Sequence, residues 1–256
     1  MPEYVDYAEY YDSDIAFPDD IPFYLGYANR TGSPVLELAC GTGRILLPLA
    51  EAGHTVHGID ISENMLAIAR EKVAQAGPAE RISLTHANMA DFDLPKKSFA
   101  LIFVAFRSFM HLLTQEDQQA CLSRVWSHLR PGGLFIVDVF SPNLSILASP
   151  CDPEYKVEKE YGLPNGHRVV RKHRFVKKDF INQINEVEFL FEEYGQSEQI
   201  ARQRVVPIRM RYSFRYELQL LLDKAGFEIE SLFGYFDKRA YDGKDEIIFV
   251  AAKPSD

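Results

Sequence analysis

Val35-Leu-Glu-Leu-Ala-Cys-Gly41-Thr-Gly43-Arg-Ile-Leu-Leu47 reads as a buried strand that enters a Gly-x-Gly turn and leaves it as a helix. In a doubly wound sheet, ligands bind at the carboxyl ends of the strands, and the first such turn is where a nucleotide-like cofactor meets the backbone. Glycines at 41 and 43 permit both the tight turn and the close approach. The third glycine of a dinucleotide fingerprint is missing, because Leu46 stands there, and no Gly-Lys-Ser/Thr ending makes the turn a phosphate loop.

Outward from this turn, short apolar runs alternate with helical patterns: strands at Val35–Ala39, Thr55–Ile59, Ile82–Thr85, Phe99–Ala105 and Leu134–Phe140, with helices at Ile45–Ala52, Glu63–Ala76 and Glu116–Leu129. That alternation predicts βαβ units in a parallel sheet. The rhythm changes over residues 154–212, where Lys156–Tyr161, His167–Val176, Ile181–Tyr194 and Gln199–Arg211 alternate polar with apolar side chains. Turn signals at Pro164-Asn165-Gly166 and Gly195-Gln196-Ser197 separate them, which predicts an antiparallel sheet. A helix over Tyr216–Lys224 and strands at Phe227–Leu232 and Glu246–Ala252 then return to the core, the last two able to pair as a hairpin. Before the first strand, residues 3–30 read as one or two short tyrosine-rich helices (Tyr4, Tyr7, Tyr10, Tyr11, Tyr24 and Tyr27), broken around Phe17-Pro18 and Ile21-Pro22.

Two further segments sharpen the turn. Val56-His-Gly-Ile-Asp60-Ile61-Ser ends the second strand on a carboxylate, the position from which acids in nucleotide-binding α/β folds accept both ribose hydroxyls. Leu84-Thr-His-Ala-Asn88-Met89-Ala-Asp91 ends the third strand on polar groups that can meet an adenine edge. With Glu37 four residues before Gly41, and Leu129-Arg-Pro131-Gly132-Gly133 leading toward the fifth strand, the chain resembles the class I S-adenosylmethionine-dependent methyltransferases over residues 35 to 140.

The resemblance implies a Rossmann-like α/β fold with a doubly wound, seven-stranded, mostly parallel sheet and an antiparallel β insert after the fifth strand. The methyltransferase core, with an N-terminal helical lid, would span residues 1–153 and 213–256, and the insert residues 154–212. It further implies S-adenosyl-L-methionine as cofactor and S-adenosyl-L-homocysteine as product. Gly41 and Gly43 would lie against the amino-acid moiety of the cofactor, with Glu37 in the same motif. Asp60 would hold the ribose, Ile61 and Met65 would flank the adenine, and the amide of Met89 would meet a ring nitrogen. Asn88 stands where many relatives have Asp, and its carbonyl can accept from the exocyclic amine. Arg44 can pair with the cofactor carboxylate, and Tyr7 and Tyr11 resemble the N-terminal segment that folds over the cofactor.

For chemistry, methyl transfer asks the protein mainly to align a nucleophile and exclude water. The segment after the fourth strand, Phe106-Arg107-Ser-Phe109-Met-His111, carries one group suited to base chemistry near neutrality. His111 reads equally as a general base or a packing histidine, and Tyr11 as an acceptor contact or a docking aromatic. Arg107 reads as a contact to an acidic acceptor or as a surface residue. An insert in this position resembles that of glycine N-methyltransferase and the nucleotide-sugar N,N-dimethyltransferases, where it shapes the acceptor pocket or a dimer contact.

Composition bounds the partners. The net charge is −9, and the first 29 residues hold seven acids with no Lys or Arg, which disfavours nucleic acid. No Asn/Asp-Pro-Pro-aromatic motif follows the fourth strand to hold a flipped base. Residues 154–212 carry 12 Lys/Arg against nine acids, a basic surplus that can guide an anionic acceptor. No apolar run spans a bilayer, no secretory signal opens the chain, and Cys40, Cys121 and Cys151 fit neither a disulfide framework nor a metal site. The expectation is a cytoplasmic enzyme acting on a small-molecule nitrogen or oxygen, with no metal, no membrane and a possible homodimer. A non-catalytic cofactor-binding regulator is the alternative.

Overall fold

A computed structural model describes residues 7–15, 19–77, 79–95, 97–196 and 199–255. Tyr4, the expected break at Phe17-Pro18 and Ser197 of the last turn signal lie outside the described residues. The chain opens with α1 (Ala8–Asp14) and α2 (Ile21–Thr31). Pro22 sits in the first turn of α2, where its missing N–H is no loss, so Ile21-Pro22 starts this helix. The core follows as β1 (Val35–Leu38), α3 (Leu46–Glu51), β2 (Val56–Asp60), α4 (Glu63–Gln75), β3 (Ile82–His86), β4 (Phe99–Val104), α5 (Gln115–His128) and β5 (Leu129–Phe140). A short α6 (Leu144–Ala148) leads to β6 (Lys156–Gly162), β7 (Arg168–Asp179), β8 (Ile184–Tyr194) and β9 (Ile200–Arg211). Then α7 (Arg215–Lys224), β10 (Glu228–Phe233) and β11 (Glu246–Ala252) complete the core.

The seven-stranded sheet has the order β10-β11-β5-β4-β1-β2-β3. Its neighbours pair in parallel except β11, which runs antiparallel to both β5 and β10. β1 and β4 are buried along their whole length, as expected of central strands covered on both faces. Alternate residues serve opposite faces: Leu36, Leu38, Ile102 and Val104 join Leu122 of α5 and Leu218 of α7, while Val35, Leu101 and Phe103 join Tyr24 of α2 and Leu49 of α3. The turn expected at Leu129–Gly133 is the irregular start of β5. The register with β4 shifts between Phe99 and Leu101, and Gly132 takes φ +70°.

β6 to β9 form a separate antiparallel meander. Its inner face does not cover itself; Val169, Phe191, Val206 and Ile208 cluster with Tyr7 and Tyr10 of the N-terminal segment and Met65 of α4. The N-terminal segment is therefore packed between the two sheets. No helix among the described residues is long and apolar enough to cross a membrane.

Gly58 of β2 fixes how closely α3 approaches the sheet below the Gly-x-Gly turn. A Cβ there would lie 2.5 Å from Leu46 Cδ1 and 2.7 Å from Cys40 Sγ, both side chains buried. Gly58→Ala is therefore expected to destabilise the chain by about 1–3 kcal/mol, measured as a lower urea midpoint; an unchanged midpoint would contradict this packing.

Candidate active site

β1 has β2 on one side and β4 on the other, so the crossovers diverge there and open a crevice at the strands' carboxyl ends. A cavity of about 290 Å³ occupies it. Ala39, Gly41, Asp60, Ile61, Ser62, Met65 and Met89 line one side of it, and Phe106, Ser108, His111 and residues of the insert line the other. Ala39, Gly41 and Gly43 all have positive φ, which bends the chain sharply out of β1.

Asp60 holds this bend. Its Oδ2 accepts from Gly41 N at 2.8 Å and its Oδ1 from Ser62 N at 2.7 Å, so one carboxylate joins the tips of β1 and β2. Burial raises its carboxyl above the usual range, against the pull of the amides of Ser62, Gly41 and Ile61. Ser62 in turn caps α4, accepting from Met65 N.

α1 and the residue before it roof the cavity. A Cβ on Gly41 would lie 3.8 Å from the Tyr11 ring, so Tyr11 sits directly over the turn, and Asp12 accepts from the Thr42 hydroxyl at 2.6 Å. The opposite side of the roof grips the insert. The Tyr10 ring stacks on Phe191 at 5.4 Å and its hydroxyl donates to Glu193 at 2.9 Å. Glu9 pairs with Arg202 at 2.7 Å, and buried Asp14 takes the Tyr7 hydroxyl, Arg171 and Lys159. The basic residues Arg171, Lys159, Arg202 and Arg204 are thus engaged by the acidic N-terminal segment. These four of the insert's twelve basic residues are thus already paired, which leaves fewer than expected to guide an anionic acceptor.

Beyond β4 the backbone is strained: Phe106 and Arg107 are consecutive non-glycine residues at φ +53° and +65°. Asp138, in the apolar strand β5, holds them there. Its Oδ1 accepts from Phe106 N at 3.0 Å and from the Tyr24 hydroxyl at 2.6 Å, and its Oδ2 from Arg107 N at 2.8 Å. Burial pushes its carboxyl up to about 7, with the Glu246 carboxylate adding to the rise and Tyr24 and Arg107 opposing it. The sequence reading passed over Asp138; the signal was an acid in the otherwise apolar run Leu134-Phe-Ile-Val-Asp138-Val. Arg107, read as a possible contact to an acidic acceptor, pairs with Glu246 through Nε at 3.0 Å and through Nη2. His111 pairs through Nδ1 with the Arg209 carbonyl at 3.2 Å, and burial lowers it to about 4.

Tyr7, Tyr11, Gly41, Asp60, Ile61, Met65, Met89 and His111 all line the one cavity. Four expected residues lie outside its lining. Gly43 faces Leu47 and Ala69. Asn88 is exposed and its Oδ1 accepts from Ala90 N at 2.9 Å, closing an Asx turn where an adenine contact was expected. Arg44 donates through both terminal nitrogens to Asp20 at 2.6 Å, so any cofactor carboxylate would share the guanidinium with that acid. Glu37 is buried, its carboxyl raised well above the usual range by burial, and its Oε2 has no hydrogen-bond partner among the described residues.

These groups suit S-adenosylmethionine. The orphaned Glu37 oxygen would suit the ammonium of the cofactor's amino-acid end, the Asp60 carboxylate would suit a diol, and the apolar side chains of Ile61, Met65 and Met89 would suit an adenine. Tyr11, whose phenol burial pushes up to about 12 against the Arg44 guanidinium, stays neutral over the turn.

Asp138 gives a pH-dependent signature. Its folded pKa lies above the usual 3.8, so between pH 4 and 7 the folded chain keeps a proton that the unfolded chain has lost, and this group's contribution to stability falls as pH rises. Asp138→Asn removes that titration. The stability advantage of the wild type over the variant should shrink by about 2–3 kcal/mol from pH 5 to pH 8 in urea unfolding; a difference that is constant or grows with pH would contradict the assignment.

Known proteins agree with this geometry. A family model described as "Methyltransferase domain" matches residues 35–133. YqeM of Bacillus subtilis (strain 168), a methyltransferase by name, is 25% identical over 232 residues, covering 86% of this chain and 84% of that protein. The dTDP-3-amino-3,6-dideoxy-alpha-D-glucopyranose N,N-dimethyltransferase of Streptomyces fradiae is 38% identical over 104 residues, but the match spans only 41% of this chain and 38% of that enzyme. Among solved structures, the CcbJ methyltransferase from Streptomyces caelestis is similar over 96% of both chains, with a TM-score of 0.79 and 26% identity. The matched family model ends where the insert has not yet begun, yet the likeness to CcbJ runs through core and insert alike. A methyltransferase domain over residues 35–133 and a fold shared with CcbJ through core and insert make the chain an S-adenosylmethionine-dependent methyltransferase.

Proposed function

We propose that the chain methylates the nitrogen of a small-molecule acceptor held between the core sheet and the insert. The observation that carries this reading is the single roofed cavity that runs from the Gly41–Asp60 turn to His111 and the insert. Its volume suits a small molecule. A relative from Streptomyces fradiae is named for N,N-dimethylation, which supports nitrogen as the attacked atom. The state of His111 supports it too: a histidine lowered to about 4 is a weak base, poorly suited to taking a proton from an alcohol. It can still accept a hydrogen bond from a neutral amine and aim the lone pair. The apolar surroundings favour that neutral form by disfavouring an ammonium.

Bound S-adenosylmethionine supplies an electrophilic methyl carbon on a sulfonium leaving group. In this reading Asp60 and the Gly41 turn hold the ribose end, Ile61, Met65 and Met89 hold the adenine, and Glu37, Arg44, Tyr7 and Tyr11 surround the amino-acid end. His111 orients the acceptor nitrogen; Phe106 and the roof exclude water. Transfer would form the N–C bond as the S–C bond of the sulfonium breaks, leaving the bonding pair on sulfur, and the extra proton on nitrogen would pass to solvent once the product leaves the cavity. The three reduced cysteines fit a cytoplasmic setting. Val157 and Val205, exposed on the insert, support a homodimer through it, tested by light scattering.

Calorimetric titration should show binding of both S-adenosylmethionine and its demethylated product, and Asp60→Ala should weaken it about ten- to a hundredfold, the worth of roughly 1.5–3 kcal/mol of lost hydrogen bonding. Unchanged affinity would contradict the ribose assignment. Because His111 protonates only near pH 4, the rate profile from pH 6 to 8 should keep its shape in His111→Ala while its height falls. A limb near pH 6.5 that disappears in the variant would show His111 acting as a titrating base.

A further inference from the structure

The insert wall of the cavity is apolar along β8 and β9, with the paired Arg171 and Glu158 beside it on β7 and β6. Phe189 and Phe191 of β8 and Val206, Ile208 and Met210 of β9 all face the cavity, with Phe189 directly across from Val206 in the strand register. No hydroxyl, amide or charge interrupts these five. The polar pairs of the same sheet, Lys172–Glu192 at 2.7 Å and Arg174–Glu188 at 2.7 Å, involve the intervening positions of β8. Strand alternation has therefore put the apolar set of β8 and β9 toward the cavity and these two ion pairs away from it.

Among the described residues, the arginines lining the cavity are Arg107 and Arg171. Arg107 is paired with Glu246, and Arg171 lies between Asp14 and Glu158, at 2.6 Å from the latter, with its guanidinium over the Phe189 ring at 5.0 Å. A phosphate or pyrophosphate would have to compete with buried carboxylates for either one, taking from Glu246 its arginine or from Asp14 one of its two cations. An apolar body gains from the same wall simply by leaving water.

Resting on the reading that this cavity holds the acceptor, we infer that the acceptor is an amine carried on an apolar, phosphate-free alkyl or aryl body. The body lies against Phe189, Val206, Ile208 and Met210, and the nitrogen points toward His111. This departs from the nucleotide-linked amino sugar named for the Streptomyces fradiae relative.

The test titrates butylamine, pentylamine, hexylamine and O-phosphoethanolamine into the protein saturated with S-adenosylhomocysteine. Affinity should rise about three- to fourfold for each added methylene, and O-phosphoethanolamine should show no saturation where hexylamine saturates. Val206→Lys should flatten the chain-length dependence, while Ile200→Lys, at the exposed start of the same strand, should keep it. If Val206→Lys does not fold, Phe189→Ala must reduce the dependence instead. Affinity that is flat across the alkylamines, absent for all of them, or highest for O-phosphoethanolamine overturns the inference. Failure of S-adenosylhomocysteine itself to bind would instead overturn the donor-site reading.

Discussion

The site depends on a seven-residue helix, and on the acids at its start and end. α1 has no core of its own; it is held by Asp12 on the donor turn and Lys72, by Glu9 on Arg202 and Arg204, and by Asp14 on Arg171 and Lys159. Asp14 is buried, so each of its partners matters: a carboxylate removed from water is tolerated only when cations and donors surround it. Through these contacts α1 joins the two sheets and closes the space between them. The charge asymmetry of the chain, acidic at the start and basic in the insert, is the electrostatic expression of that junction.

Two other carboxylates fasten the cavity floor in the same way. Asp60 binds the amides of Gly41 and Ser62, and Asp138 binds those of Phe106 and Arg107. Each sits on a sheet strand and ties down a turn whose backbone lies at positive φ, so a rigid element dictates the shape of an irregular one. Donor and acceptor sides of the cavity are thus both referenced to the sheet, which favours an alignment-driven displacement.

Much of this was legible in the sequence. Apolar runs in β1, β2, β4 and β5 marked the strands because both faces of the sheet are covered, and the two-residue alternation of 154–212 marked the meander because one face is not. The ordered motifs pointed to Gly41, Asp60 and Met89, which share one cavity. Less legible was whatever depends on tertiary partners. Asn88 and Arg44 have the right chemistry for cofactor contacts, but Asn88 closes its own turn and Arg44 meets Asp20 from the N-terminal segment. Asp138 carries no motif at all; its role arises only because β5 lies beside β4. The basic surplus of the insert was visible, but its destination was not, since that required knowing that α1 lies across it.

The donor is proposed to bind under α1, with its ribose at Asp60 and its sulfur directed toward the turn after β4. A crystal structure of the complex with S-adenosylhomocysteine tests this most directly. Both ribose hydroxyls are expected within hydrogen-bonding distance of Asp60, and the sulfur on the side of Phe106 and His111. A ribose held elsewhere, or a sulfur pointing away from that turn, would contradict it.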